Sequence, residues 1–258
     1  MPAKSTSRLD LLLVARGLAP TRESAQGLIL SGSVWSGTTR LDKPGTKVRD
    51  DLLLEVRAKS TPFASRAGEK LHFALDRFGV EVRGRICLDV GASTGGFTDC
   101  LLQRGARKVI AVDVGYGQLE AKLRTDPRVT VMERTNARHL RAEQLAEPPD
   151  FLCIDVSFIS AAKILGPVFH DVRSLLEAVV LFKPQFEVGP RHVGRGGLVR
   201  DENAVTEAIG AFIAETAAWG WRVAAGPIPS PVPGKKSGNV ERLIHLRRLE
   251  TAPSREDG

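Results

Sequence analysis

From residue 86 onward, short apolar runs alternate with segments whose apolar positions recur every three or four residues. The runs predict strands over 86–90, 108–113, 129–133, 151–155, 178–182, 221–225 and 240–246. The periodic segments predict helices over 68–78, 97–104, 118–123, 162–176 and 204–219, with Gly79 closing the first of them. Such alternation predicts an α/β fold: a parallel sheet with helices on both faces. No internal repeat is evident in the chain.

The pattern before residue 60 is different. Residues 8–16 have helical periodicity closed by Gly17, and 21–30 form a second helix with Thr21 as N-cap and Gly32 past its end. Two short strands follow, around Val34 and Trp35 and over 52–56, with Lys43-Pro44-Gly45 as a turn between them. Turn formers and a proline in KSTPFA (59–64) mark a linker. The expected organisation is therefore a small α+β unit over 1–60, a linker at 61–64, a large α/β unit over 65–250 and a tail at 251–258.

Charge sharpens this division. The formal net charge is +7, and residues 1–60 hold ten lysines and arginines against six acidic residues, a net +4. An acidic partner is indicated, nucleic acid first and an anionic membrane second. No run approaches the ~18 apolar residues of a membrane helix, and no secretory signal is visible, so a cytoplasmic location is expected. Cys87, Cys100 and Cys153 have no metal-ligand spacing and read as reduced core residues; no metal is expected.

The stretch ICLDVGASTGGFTD (86–99) is a strand, a small-residue loop and a helix start, a cradle for a nucleotide-like ligand. No Gly-Lys-Ser/Thr follows the glycines, which excludes a P-loop. Dinucleotide binding wants G-x-G-x-x-G, whereas Ser93 stands between Gly91 and Gly95-Gly96. Asp89 precedes the loop and is placed to receive an ammonium group, which favours S-adenosylmethionine. Phe97 opens the helix. Asp113, after the next strand, suits the ribose hydroxyls of either ligand, and Asn136 is a candidate for the adenine edge. The loop alone leaves a dehydrogenase open.

Further candidates gather at the carboxyl edge of the expected sheet. Asp155 ends the fourth strand, Lys183 ends the fifth before Pro184, Glu241 opens the last, and Lys70 lies on the helix entering the domain. Two lysines and two carboxylates beside a sulfonium cofactor suit methylation of a hydroxyl. A lysine acts as base only when neutral, a form favoured by burial and a neighbouring ammonium and opposed by carboxylates. Lys183 is the expected base, with Lys70, Asp155 and Glu241 positioning it. The glycine- and arginine-rich segment 188–201 and the proline-rich segment 227–238 with Lys235 and Lys236 read as loops. Phe158 and Phe186 read as ordinary core aromatics, with a flipped-out base as the other possibility.

Two resemblances organise these readings. Arg8-Leu9-Asp10, Thr21–Ala25, Leu28-Ile29, Gly32, Val34 and Lys43-Pro44-Gly45 resemble the alpha-L RNA-binding domain of a small-subunit ribosomal protein and many pseudouridine synthases. This implies RNA binding through Arg8, Arg22 and Lys43. The set Lys70, Asp155, Lys183 and Glu241 resembles that of FtsJ-type ribose 2′-O-methyltransferases. Through SRAGEKL, LDVGASTGGFTDCLL, VDVGYGQL, CIDVSFIS, LFKPQFEVG and SGNVE, the chain resembles TlyA-type haemolysin/rRNA methyltransferases. That resemblance implies a Rossmann-like class I methyltransferase sheet of seven strands, the last pair antiparallel. It also implies S-adenosylmethionine as cofactor and 2′-O-methylation of cytidine in 16S and/or 23S rRNA, within 30S and/or 50S subunits. The alternatives are a membrane-active haemolysin and a non-catalytic RNA-binding module. A monomer is the simplest assembly.

Overall fold

The computed structural model describes residues 5–57, 61–232 and 238–249. Lys59, Ser60, Lys235, Lys236, Ser237 and the 251–258 tail lie outside the described residues.

The N-terminal unit packs α1 (Leu9–Ala15) against α2 (Arg22–Leu30), with Thr21 capping α2 by accepting the Ser24 N–H. Around them run β1 (Thr6–Arg8), β2 (Val34–Ser36), β3 (Thr39–Arg40), β4 (Lys47–Arg49) and β5 (Glu55–Val56), paired as β1-β4 and β3-β2-β5. The strands β1, β3 and β4 escape a pattern reading because two or three residues are too few to show an alternation. A small core of Leu9, Leu12, Leu13, Ala25, Ile29 and Val34 lies beneath them.

The larger unit begins with α3 (Ala67–Phe78), which ends on Gly79 in the left-handed conformation. It continues with β6 (Ile86–Val90), α4 (Gly96–Gln103), β7 (Lys108–Val112), α5 (Ala121–Arg124), β8 (Val129–Met132) and β9 (Phe151–Ile154). Then come α6 (Ala162–Asp171), β10 (Glu177–Phe182), α7 (Pro184–Glu187), α8 (Glu202–Ala218), β11 (Trp221–Pro229) and β12 (Arg242–Arg248). The seven strands lie in the order β11-β12-β10-β9-β6-β7-β8. From β8 to β10 the pairs are parallel, and β12 runs antiparallel to both neighbours. Strand order reverses between β6 and β9, the switch point where open sheets leave a crevice at the carboxyl ends of their strands.

Each face is closed by helices. Leu165, Phe169 and Phe212 pack on one side, Leu71, Leu75 and Leu101 on the other. The cysteines are free and buried.

The strand expected over 52–56 is confined to Glu55–Val56, and three expected segments of the larger unit differ. The helix over 162–176 ends at Asp171, and Leu176 donates its N–H to the Asp150 carbonyl to start β10. Residues 118–120 are loop, with α5 a single turn after them. Residues 227–229, read as loop, belong to β11, an edge strand that tolerates prolines through two register shifts.

Candidate functional site

The switch point opens into two adjoining cavities that share Gly91, Ser93, Asp155, Ser157 and Phe158 in their walls. The first, of about 490 Å³, holds the lysines and carboxylates. Asp155 follows β9, Lys183 follows β10, Glu241 precedes β12, and Lys70 projects from α3. Lys183 Nζ lies 2.5 Å from Asp155 Oδ1 and donates to Ser157 Oγ at 3.0 Å. Lys70 pairs with Glu241. All four side chains are largely buried, so both ion pairs stand in a setting where water screens them little.

Sheet register brings Glu241 there. In the antiparallel pairing of β10 with β12, Phe182 lies opposite Arg242, so Lys183 and Glu241 are next in line at the strand ends. Two residues 58 positions apart in sequence become neighbours through the backbone register of the sheet.

The second cavity, of about 450 Å³, has Asp113 and Asn136 in its wall. Asp113 Oδ2 accepts the Ser93 N–H at 2.8 Å and Oδ1 the Gly115 N–H at 2.7 Å. Each carboxylate oxygen keeps a lone pair for a ribose hydroxyl. Asn136 Oδ1 accepts the Arg138 N–H, leaving its amide N–H groups for the cavity. Gly91 has φ +85, and a Cβ there would meet the Asp155 carbonyl oxygen at 2.5 Å. The loop thus requires glycine at that position, where it packs against the chain after β9 while lining both cavities. Phe97 lines the first cavity. Gly96 lets α4 start against Ser65, whose Oγ a Cβ would meet at 2.4 Å.

Asp89 differs from the expectation. It is fully buried, lines neither cavity, and accepts the Thr98 hydroxyl at 2.6 Å. Burial pushes its carboxyl up to about 7 against that hydrogen bond. Such an environment ties the loop to α4 instead of presenting a charge to a ligand. Phe158 also departs from its reading as core: it is 87% exposed, has φ +68, and its ring tilts against Phe186 at 5.4 Å.

In the N-terminal unit, Arg8 and Arg22 converge on Asp10, which is fully buried. Arg8 donates to both carboxylate oxygens at 3.0 and 2.9 Å, Arg22 to Oδ2 at 3.0 Å, and Gln26 to Oδ2 at 3.1 Å. The hydrogen bond from Arg8 leads the effects that hold this carboxyl well below the usual range. Lys43 is exposed in the turn whose Pro44 carbonyl accepts the Asp10 N–H and whose Gly45 lies against the Arg8 guanidinium. Sequence patterning missed Asp10 as the organiser, because an acidic residue in the first turn of a helix has an ordinary explanation. It also missed Ser157 on Lys183 and the buried Asn239, whose amide donates to Gln185 Oε1 and the Gly197 carbonyl. Those bonds order the 188–201 segment, which contains two short 3₁₀ turns.

Comparison with known proteins gives this geometry its family. FtsJ-like methyltransferase is the family matched over residues 63–248, and an S4 domain over residues 7–53. The chain belongs to the FtsJ-like methyltransferase family. A Mycobacterium tuberculosis relative named 16S/23S rRNA (cytidine-2′-O)-methyltransferase TlyA is 46% identical, over 93% of this chain and 90% of its own length. Hemolysin A of Brachyspira hyodysenteriae is 41% identical over 93% of this chain and 99% of its own. A solved Streptococcus thermophilus structure with a hemolysin description is 39% identical. It covers 96% of this chain and 90% of its own, with a TM-score of 0.72. FtsJ-like methyltransferases depend on S-adenosylmethionine, and the cavity lined by Gly91 with the acceptors of Asp113 fits that cofactor. Among the described residues no helix is long and apolar enough to cross a membrane.

Proposed function

We propose that the protein 2′-O-methylates cytidine in 16S and/or 23S rRNA within 30S and/or 50S ribosomal subunits, acting as a cytoplasmic monomer. Residues 1–60 form the RNA-binding domain, 61–64 the linker, 65–250 the methyltransferase domain and 251–258 a tail. The observation that carries this reading is the pair of buried lysine–carboxylate contacts, Lys183–Asp155 and Lys70–Glu241, in one cavity beside the cofactor cavity. Its substrate class follows the name of the Mycobacterium tuberculosis relative.

S-adenosylmethionine supplies an electrophilic methyl on a sulfonium centre. Asp113 and Asn136 hold its nucleoside end, and the loop with Gly91, Ser93, Gly95 and Gly96 admits its methionine end. A ribose 2′-hydroxyl is a weak nucleophile and must lose its proton as it attacks. Lys183 accepts that proton in its neutral form, and Asp155 and Ser157 fix the direction of its Nζ. Lys70, held by Glu241, places a second cation near the developing alkoxide. Phe158, exposed at the entrance, offers an aromatic face to a base drawn out of its stack. Arg8, Arg22 and Lys43 meet rRNA phosphates.

The test incubates isolated 30S and 50S subunits, from a strain lacking the modification, with the protein and methyl-labelled S-adenosylmethionine. Labelled 2′-O-methylcytidine in the digested rRNA is the expected result. A base-methylated nucleoside would overturn the lysine chemistry, and no label in either subunit would overturn the substrate.

A further inference from the structure

Three basic side chains line the catalytic cavity, in different electrostatic situations. Lys70 and Lys183 are each matched by a carboxylate. Arg66 lines the same cavity, and its Nε is enclosed without a hydrogen-bond partner. No salt bridge to Arg66 exists among the described residues. The terminal guanidinium nitrogens of Arg66 are neither enclosed nor hydrogen-bonded to a described residue, so they are the donors left for an anion that enters the cavity.

The backbone beneath Arg66 is tightly seated. A Cβ on Gly68 would meet the Phe63 side chain at 2.5 Å and the Gly96 carbonyl oxygen at 2.7 Å. The segment from Ser65 to Gly68 therefore lies flush against the start of α4, at the end of the cofactor loop. Arg66 immediately precedes α3, the helix that carries Lys70 one turn further on. Its position relative to the reacting centre is thus fixed by backbone contact and does not depend on a loop.

A ribose presenting its 2′-hydroxyl inside a polynucleotide carries a phosphodiester on the adjacent 3′ carbon. Entry of that anion past Asp155 and Glu241 requires a cation not already committed to them. We infer that Arg66 binds the 3′-phosphodiester of the target nucleotide and so sets the 2′-oxygen before Lys183. The inference rests on the ribose-methylation reading above. The planar guanidinium presents paired N–H donors that match two non-bridging phosphate oxygens, a match a lysine does not reproduce.

The test compares wild type, Arg66→Gln and Arg66→Lys by cofactor titration, by steady-state methyl transfer to isolated subunits, and by the KCl dependence of kcat/KM. Arg66→Gln should bind S-adenosylmethionine within about twofold of wild type, which also establishes that it folds. Its kcat/KM should fall by about 10- to 100-fold, the loss expected for one charge-assisted contact. The slope of log kcat/KM against log [KCl] should become shallower by about 0.7, the share of one phosphate contact to a single strand. Arg66→Lys should keep the wild-type slope and recover part of the rate.

An Arg66→Gln enzyme with wild-type kcat/KM, or one that loses rate at an unchanged slope, overturns the inference. If Arg66→Gln fails to bind cofactor, Arg66→Lys decides: a wild-type slope supports the inference and a shallower one refutes it. A wild-type protein that methylates neither subunit overturns the reading of the reaction, and the inference falls with it. Wild-type transfer with an indifferent Arg66→Gln removes the inference alone.

Discussion

Replacing Glu177 by glutamine tests whether the end of the sheet remote from the cavity sets the register on which the site depends. Glu177 opens β10 and is nearly fully buried. It accepts from Arg85 Nη1 at 2.5 Å and Arg247 Nε at 2.8 Å, and faces His245 Nε2 at 2.7 Å. Arg247 and His245 lie on β12, so these contacts tie β10 to β12 at the end opposite Lys183 and Glu241. Burial works to raise the Glu177 pKa, but the hydrogen bonds from His245, Arg85 and Arg247 outweigh it and hold the carboxyl at about 2. Against an ordinary value of 4.5, this is worth roughly 3 kcal/mol to the folded state. Because the folded pKa is depressed, the contribution is present in full above about pH 4.5 and is lost as pH falls toward 2. Glutamine keeps one acceptor but no charge, so Glu177→Gln should lose about 2–3 kcal/mol at pH 7. Urea unfolding followed by tryptophan fluorescence reads this, since Trp221 is fully buried and stacked on Phe169 at 3.9 Å. The gap between variant and wild type should shrink between pH 4.5 and pH 2.5. A gap below about 1 kcal/mol at pH 7, or one that does not change with pH, would refute the reasoning.

Other predictions follow from single side chains. Asp113→Ala removes the acceptors for the cofactor ribose and should weaken S-adenosylmethionine binding about 10- to 100-fold by calorimetric titration. Unchanged affinity would detach that cavity from the cofactor. Asp10→Asn should weaken subunit binding about tenfold at fixed salt, because Arg8 and Arg22 lose the buried anchor that restricts them before RNA arrives. Removing a negative charge would by itself strengthen binding, so a measured loss separates positioning from net charge. The depressed Asp10 carboxyl stabilises the N-terminal unit above the ordinary carboxylate range, and that contribution is lost as pH falls below it.

The long apolar strands were legible because β6, β9 and β10 are buried on both faces and therefore read as continuous runs. Their carboxyl ends carry Asp155 and Lys183, so that part of the site could be placed from the fold class alone. Glu241, as the start of the last strand, could be placed at the same sheet edge, but its position next in line to Lys183 needed the antiparallel register of β12. Asp10 and Asp89 show the limit of pattern reading. Both are carboxylates at sequence positions that suggest exposure, and both are buried by contacts from residues distant in the chain. Phe158 was misjudged for the converse reason: an aromatic beside apolar residues suggests core packing, but after β9 the chain turns outward and leaves the ring exposed. Arg66 lies in SRAGEKL, but nothing there set it apart from its neighbours, since an arginine ahead of a helix is commonplace and its lack of a partner among the described residues is a property of the cavity.

The central claim is that Lys183, held by Asp155 and Ser157, removes the 2′-hydroxyl proton. The most direct test is single-turnover methyl transfer to whichever subunit the wild type modifies, comparing wild type with Lys183→Ala at saturating cofactor. Cofactor affinity and subunit binding are measured on the same preparations. The account predicts a fall in transfer rate of about 10²- to 10⁴-fold with both affinities within a few-fold of wild type. A Lys183→Ala enzyme that transfers methyl at a rate within about threefold of wild type would contradict it.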